Sequence, residues 1–228
     1  MDLYSELLTY SKDIYKSENQ AQNFYSDPKT DLQVGIYITD KICISFRGTE
    51  SKKDMSYDVY RIKKNMGGGK YVHGGFYDQL FSSDVYQSFN KFVTRLIYET
   101  DLDIYVTGHS LGGALATLYG YELSKKTTKQ INVVSFASPK VGNWAFFKDF
   151  KKIKNLSHVR IANSRDPVTL FPLFNYYHTG KIITLKSTSY FYSVNNHYVK
   201  MYEKYINKKN KIINDKYVNI YKDKTIGL

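Results

Sequence analysis

Apolar positions along the chain change their period several times, and each change marks a predicted element. Leu3, Leu7, Leu8, Ile14 and Tyr15 recur at helical spacing and predict an N-terminal helix over Leu3–Glu18. Leu32–Ile38 and Lys41–Phe46 are apolar, β-branched runs that predict two strands joined by a tight turn at Thr39-Asp40. Glu50–Lys70 is polar, ends in Gly67-Gly68-Gly69 and reads as loop. From Phe76 to Ile97 the apolar residues fall near period 3.6, which predicts one long helix. Strands over Leu102–Thr107, Ile131–Phe136, His158–Ala162 and Lys181–Lys186 then alternate with helices over Leu111–Lys125, Asn143–Phe150 and, last, His197–Ile206. Such alternation predicts an α/β fold with a mostly parallel central sheet and helices on both faces. The expected organisation is one domain over residues 1–228. A Lys/Asn-rich tail, about 207–228, still holds Ile212, Ile213, Val218 and Ile220 and is expected to add a strand or short helix.

Composition changes this picture little. A chain of 228 residues with 42% hydrophobic and 24% charged positions suits a globular domain with a real core. The abundance of Lys, Asn, Ile and Tyr, with 23 tyrosines, matches AT-rich coding, as in a low-GC bacterium, a protist or a large DNA virus. The net charge of +12 would draw anions, yet the lysines are spread along the chain. They read as a solvated basic surface, with transient contact to an anionic membrane or lipid-droplet surface as the alternative. No nucleic-acid motif or compact basic stripe is present, so a nucleic-acid partner is not expected. The one cysteine, Cys43, lies in the apolar run Ile42-Cys43-Ile44, so no intrachain disulfide forms and the thiol reads as a small buried hydrophobe. No Cys/His or Asp/Glu cluster has metal-ligand spacing, and neither metal nor cofactor is expected. The acidic, polar start and the lack of a ~20-residue apolar run lead to the expectation of a soluble, intracellular protein.

The chemistry lies in Leu102–Ala116. An apolar strand runs into Gly108-His109-Ser110-Leu111-Gly112, and a helix rich in Ala and Leu follows. Gly-x-Ser-x-Gly between strand and helix is the context in which a serine stands on a sharp turn with its hydroxyl exposed to a base and a carbonyl. The helix start behind it supplies unpaired N–H groups, and the Leu111 N–H is placed to receive a developing oxyanion. Without that context the motif would be a Gly/Ser-rich helix cap.

The run Val106–Ala116 resembles the signature of the class 3 (fungal-type) lipases of the α/β-hydrolase fold. Phe46-Arg47-Gly48-Thr49, Val72–Phe76, Phe136–Asn143 and Arg165-Asp166-Pro167-Val168 resemble further segments of that family in the same order. The match extends over roughly residues 30–205. It implies hydrolysis of a lipid ester on Ser110 and a second oxyanion donor at Thr49. It also implies a lid just after Thr49. Here Glu50–Tyr60 is short and polar, with Met55, Val59 and Tyr60 on one side, so only modest interfacial activation is expected.

A serine is a poor nucleophile until a base takes its proton and a carboxylate orients that base. In this fold the order is Ser, acid, His. Asp166 follows the apolar strand His158–Ala162 and so lies on a loop at a strand's C-terminal end; Asp149, inside a predicted helix, is the weaker candidate. Two histidines lie downstream, His178 and His197. The resemblance places the base at His197 and makes His178 structural. His109 is expected to pack or hydrogen-bond beside the nucleophile, and His73 and His158 to be structural. Substrate remains open between triacylglycerol, phospholipid (a phospholipase A1 on anionic membranes) and other esters, since the fold also carries feruloyl esterases. A catalytically silent lipid-binding relative is the other reading. Oligomeric state is not readable.

Overall fold

The computed structural model describes residues 2–49 and 63–207. The expected lid, Glu50–Tyr60, and nearly all of the Lys/Asn-rich tail lie outside the described residues. The elements run α1 (Leu3–Asp13), β1 (Asn23–Asp27), β2 (Leu32–Ile38), β3 (Lys41–Phe46), β4 (Lys63–Asn65), β5 (Tyr71–His73), α2 (Gly74–Phe81), α3 (Tyr86–Glu99), β6 (Asp103–His109), α4 (Leu111–Ser124), β7 (Ile131–Phe136), α5 (Trp144–Lys152), β8 (Leu156–Asn163) and β9 (Lys181–Leu185). A last helix, α6, covers residues 199–207.

Seven strands form one sheet in the order β1-β2-β3-β6-β7-β8-β9. β1, β2 and β3 pair antiparallel, and β3, β6, β7, β8 and β9 run parallel. The parallel strands read as nearly unbroken apolar runs because helices cover both of their faces. On one face α2, α3, α4 and α5 bury Phe46, Val106, Tyr119, Val133 and Phe146. On the other, α1 and α6 bury Leu7, Tyr37, Cys43, Phe136 and Tyr202. The register sets Phe46 opposite Gly108 and His109 opposite Phe136, so the C-terminal ends of β3, β6 and β7 meet at one edge of the sheet. Among the described residues no helix is long and apolar enough to cross a membrane.

The expected α/β architecture is observed, with local differences. The long helix over Phe76–Ile97 is two helices. Oδ2 of Asp27 accepts from the Ser83 hydroxyl at 2.8 Å and from the Asp84 N–H at 3.0 Å, holding that segment out of helical form. β1, absent from the sequence reading, carries that aspartate. The expected loop ending at Lys70 contains instead half of a hairpin, β4–β5, turned through Gly67, Gly68 and Gly69, all at positive φ. His197 ends a 3₁₀ turn, Val194–His197, rather than opening the last helix. Cys43 is fully buried on β3, and burial pushes its thiol pKa well up, so it stays protonated and inert.

Candidate active site

Ser110 stands between β6 and α4 with φ 58° and ψ −126°, a conformation L-residues rarely hold. Two features secure it. Its N–H donates to the carbonyl of Phe136 at the end of β7, at 2.9 Å. Gly112 lets the helix start close against β3: a Cβ there would lie 2.1 Å from the Phe46 carbonyl oxygen. The turn therefore pushes the Ser110 side chain out over the C-terminal edge of the sheet.

Asp166 and His197 reach the same point from β8 and from the 3₁₀ turn. His197 Nε2 lies 2.7 Å from Ser110 Oγ, and His197 Nδ1 lies 2.8 Å from Asp166 Oδ2. The three residues form one continuous hydrogen-bonded line. All three are buried, at 2% exposure for Ser110, 4% for His197 and 0% for Asp166. Bonding to the carboxylate fixes the proton on Nδ1, which leaves Nε2 as the acceptor for the serine hydroxyl.

The buried carboxylate is well supplied with donors. Oδ1 accepts from the Val168 N–H at 2.9 Å, and Oδ2 from the Tyr202 hydroxyl at 2.7 Å. The same hydroxyl accepts from the Asn163 N–H at 3.0 Å. Burial and the neighbouring carboxylate push the Tyr202 phenol pKa well up, so it remains a donor. The backbone of His197 is held as well. Burial, together with the neighbouring His197, pushes the His109 pKa well down. As a neutral ring, His109 donates from Nε2 to the His197 carbonyl at 2.7 Å. Asn163 Nδ2 donates to the Asn196 carbonyl at 3.0 Å.

The other residues singled out from the sequence lie around this line or apart from it. Gly48 passes so near the turn that a Cβ would lie 2.5 Å from the His109 carbonyl oxygen. That approach brings Thr49, the next residue, to the elbow. Thr49 and Leu111 line one cavity of about 370 Å³ together with Gly75, Asp78 and Gln79. His178 stands apart: its Nε2 bonds the Thr169 carbonyl at 2.7 Å, and burial with Arg160 nearby pulls its pKa down to about 3. His158 is held between Ser135 and Thr179, 2.9 Å from each hydroxyl. His73 packs on Phe76, ring centroids 4.1 Å apart. Asp149, the weaker acid candidate, bonds Tyr121 and Lys70 and ties α5 to α4 and to the β4–β5 hairpin. Among the described residues no group of three or more His, Cys, Asp or Glu could hold a metal ion. Sequence reasoning missed Tyr202, Asn163 and the role of the His109 side chain as an anchor for His197.

The sequence model of the family Lipase (class 3) matches residues 43–176. The chain belongs to the class 3 lipases. It is similar to phospholipase A(1) DAD1, chloroplastic, of Arabidopsis thaliana, 32% identical over 151 residues, 58% of this chain and 33% of that protein. It is also similar to secreted mono- and diacylglycerol lipase A of Penicillium cyclopium, 29% identical over 138 residues, 59% of this chain and 44% of that protein. The chain thus spans between a third and under half of the length of these curated relatives. Among solved structures it superposes on a triacylglycerol lipase from Penicillium expansum with a TM-score of 0.72 at 20% identity, covering 82% of this chain and 79% of that one. A triacylglycerol lipase with a serine protease triad at its catalytic centre gives a TM-score of 0.74 at 22% identity, covering 85% and 92%. At these identities the structures show the α/β-hydrolase fold that this class 3 lipase shares.

Proposed function

We propose that this class 3 lipase is a serine hydrolase that cleaves carboxylic ester bonds of lipids through an acyl-enzyme on Ser110. The observation that carries the reading is the line Ser110 Oγ, His197 Nε2, His197 Nδ1, Asp166 Oδ2, with both links under 3 Å. His197 takes the serine proton as Oγ attacks the ester carbonyl, and Asp166 steadies the imidazolium that forms. The tetrahedral oxyanion is received by the backbone N–H groups of Leu111 and Thr49. As the intermediate collapses, the carbon–oxygen bond to the alcohol breaks and His197 returns the proton to that oxygen. Water, activated by His197 in the same way, then releases the fatty acid and restores Ser110.

Acylglycerol is the first substrate class, on the likeness to mono- and diacylglycerol lipase A, and triacylglycerol is the member of that class to test first. Phospholipid cleavage at the first acyl position is the second reading, favoured by the likeness to the Arabidopsis phospholipase A(1) and by the basic surface. A fluorophosphonate probe should label the wild type and spare Ser110→Ala. A panel of triacylglycerol, phosphatidylcholine and phosphatidylserine then separates the two readings by rate. Absence of labelling in folded wild type would sink the hydrolase reading and leave a silent lipid-binding relative.

A further inference from the structure

Eleven of the fourteen exposed large apolar side chains among the described residues lie between Trp144 and Tyr198. The most exposed sit on two loops: Leu173 and Phe174 after β8, and Tyr190, Phe191 and Tyr192 after β9. Phe174, Tyr190 and Phe191 are each more than 80% exposed. Both strands are parallel to β6, so both loops leave the same edge of the sheet that carries Ser110. The first loop follows Asp166 by a few residues, and the second runs straight into the turn that ends at His197. Folded proteins rarely leave so many large apolar side chains in water at one edge without a partner for them.

The charges on these loops say what the partner is. From Ser164 to Tyr198 the only acidic residue is Asp166, and it is fully buried. Lys186 is exposed at the end of β9, and the Arg165 guanidinium stacks over the Tyr192 ring at 5.4 Å. At the start of α5, Trp144 is half exposed, touches Tyr177 at 5.2 Å and carries the Lys148 ammonium over its ring at 5.5 Å. Tyrosine and tryptophan mixed with Phe and Leu, cations stacked on two of the rings and no exposed carboxylate from Ser164 to Tyr198: this is the chemistry of a surface that settles at headgroup depth in an anionic bilayer. We infer that the loops after β8 and β9 form a docking platform for anionic phospholipid membranes. Where it serves catalysis, the platform rests on the hydrolase reading, since it would set the Ser110 edge against the lipid.

The chain holds a single tryptophan, Trp144, inside the platform, and it supplies the reporter. The test uses the full chain as Ser110→Ala, titrated with vesicles of phosphatidylcholine alone and of phosphatidylcholine mixed with phosphatidylserine. Phosphatidylserine vesicles should shift Trp144 emission to the blue and carry the protein into the pellet, and high salt should weaken both effects. Phe174→Ala/Tyr190→Ala/Phe191→Ala should cut binding at least about tenfold, and Lys186→Glu by a smaller factor. The triple variant, with Ser110 restored, should keep its rate on a soluble short-chain ester, because the replaced side chains stand in water. Pelleting unchanged in the triple variant, or no pelleting with either vesicle, would overturn the platform. Binding by a wild type that fails to cleave any ester would remove the hydrolase reading and leave the platform standing.

Discussion

The hydroxyl of Tyr202 donates to Oδ2 of Asp166 at 2.7 Å, the same oxygen that accepts from His197 Nδ1. Two donors thus hold that oxygen in place, one from α6 and one from the 3₁₀ turn. Tyr202→Phe removes one of them and strips the Asn163 N–H of its acceptor. A hydrogen bond to a buried charge contributes about 1.5–3 kcal/mol. The variant should therefore lose about tenfold or more in kcat with KM nearly unchanged, and should melt at a lower temperature. Steady-state kinetics on a soluble ester would check this, and an unchanged kcat would remove Tyr202 from the positioning role.

The two downstream histidines should part cleanly. His197→Ala takes away the proton acceptor of Ser110, and kcat should fall by at least about a thousandfold. His178 instead braces the Thr169 carbonyl on the loop that follows Asp166. His178→Ala should lower the melting temperature while keeping most of the activity of the molecules that stay folded. Activity lost in His178→Ala and kept in His197→Ala would reverse the assignment.

At Gly112 the argument is steric. A methyl group would enter the Phe46 carbonyl at 2.1 Å, where both partners are backbone and neither yields cheaply. Gly112→Ala should cost at least about 3 kcal/mol in urea unfolding, above the usual range for a point substitution. A cost near zero would mean that helix and strand can move apart here.

Acid should unfold this protein early. Burial is the largest cause holding the His109, His158 and His178 pKa values below that of a free histidine. Below about pH 6.5 the unfolded chain binds protons that the folded chain refuses, so stability falls as pH drops through that point. For His178 the loss continues down to about pH 3. Each such histidine contributes a slope approaching about 1.4 kcal/mol per pH unit. Asp27 adds a later loss with the same sign, because the Ser83 hydroxyl and two backbone N–H groups hold its pKa at about 2. Urea midpoints measured near neutral pH and about two units lower would check the slope. A flat profile between them would contradict it.

Much of this was legible in the sequence, for local reasons. Ile131–Phe136 is a strand with the predicted ends because it is an apolar, largely buried run that starts after Lys129-Gln130 and stops short of the turn at Ala137-Ser138-Pro139. The elbow at Ser110 is short-range chemistry, glycine and helix start; chain order points to Asp166 as the candidate acid and leaves His178 and His197 as candidate bases, between which only the family resemblance chooses. What stayed hidden is what distant residues do to one another. No periodicity marks Ser82–Val85 as a break, because the break comes from Asp27, 56 residues earlier along the chain from Ser83. The β4–β5 hairpin has three-residue strands, too short for an alternation to register. Tyr202 was one tyrosine among 23, and only the packing of α6 against β8 brings it to Asp166.

The backbone at Ser110 sets the reactive group against the scaffold that carries it. At φ 58° and ψ −126° a Cβ is unwelcome, and such conformations cost on the order of 1–3 kcal/mol. Glycine would relieve that cost and remove the proposed nucleophile in one step. Inactivity and robustness are therefore coupled at this position: the easiest route to a sturdier protein is also the route to an inert one. Any programme that selects this chain for heat resistance alone will drift toward losing its chemistry at residue 110, so it must screen for turnover in every round.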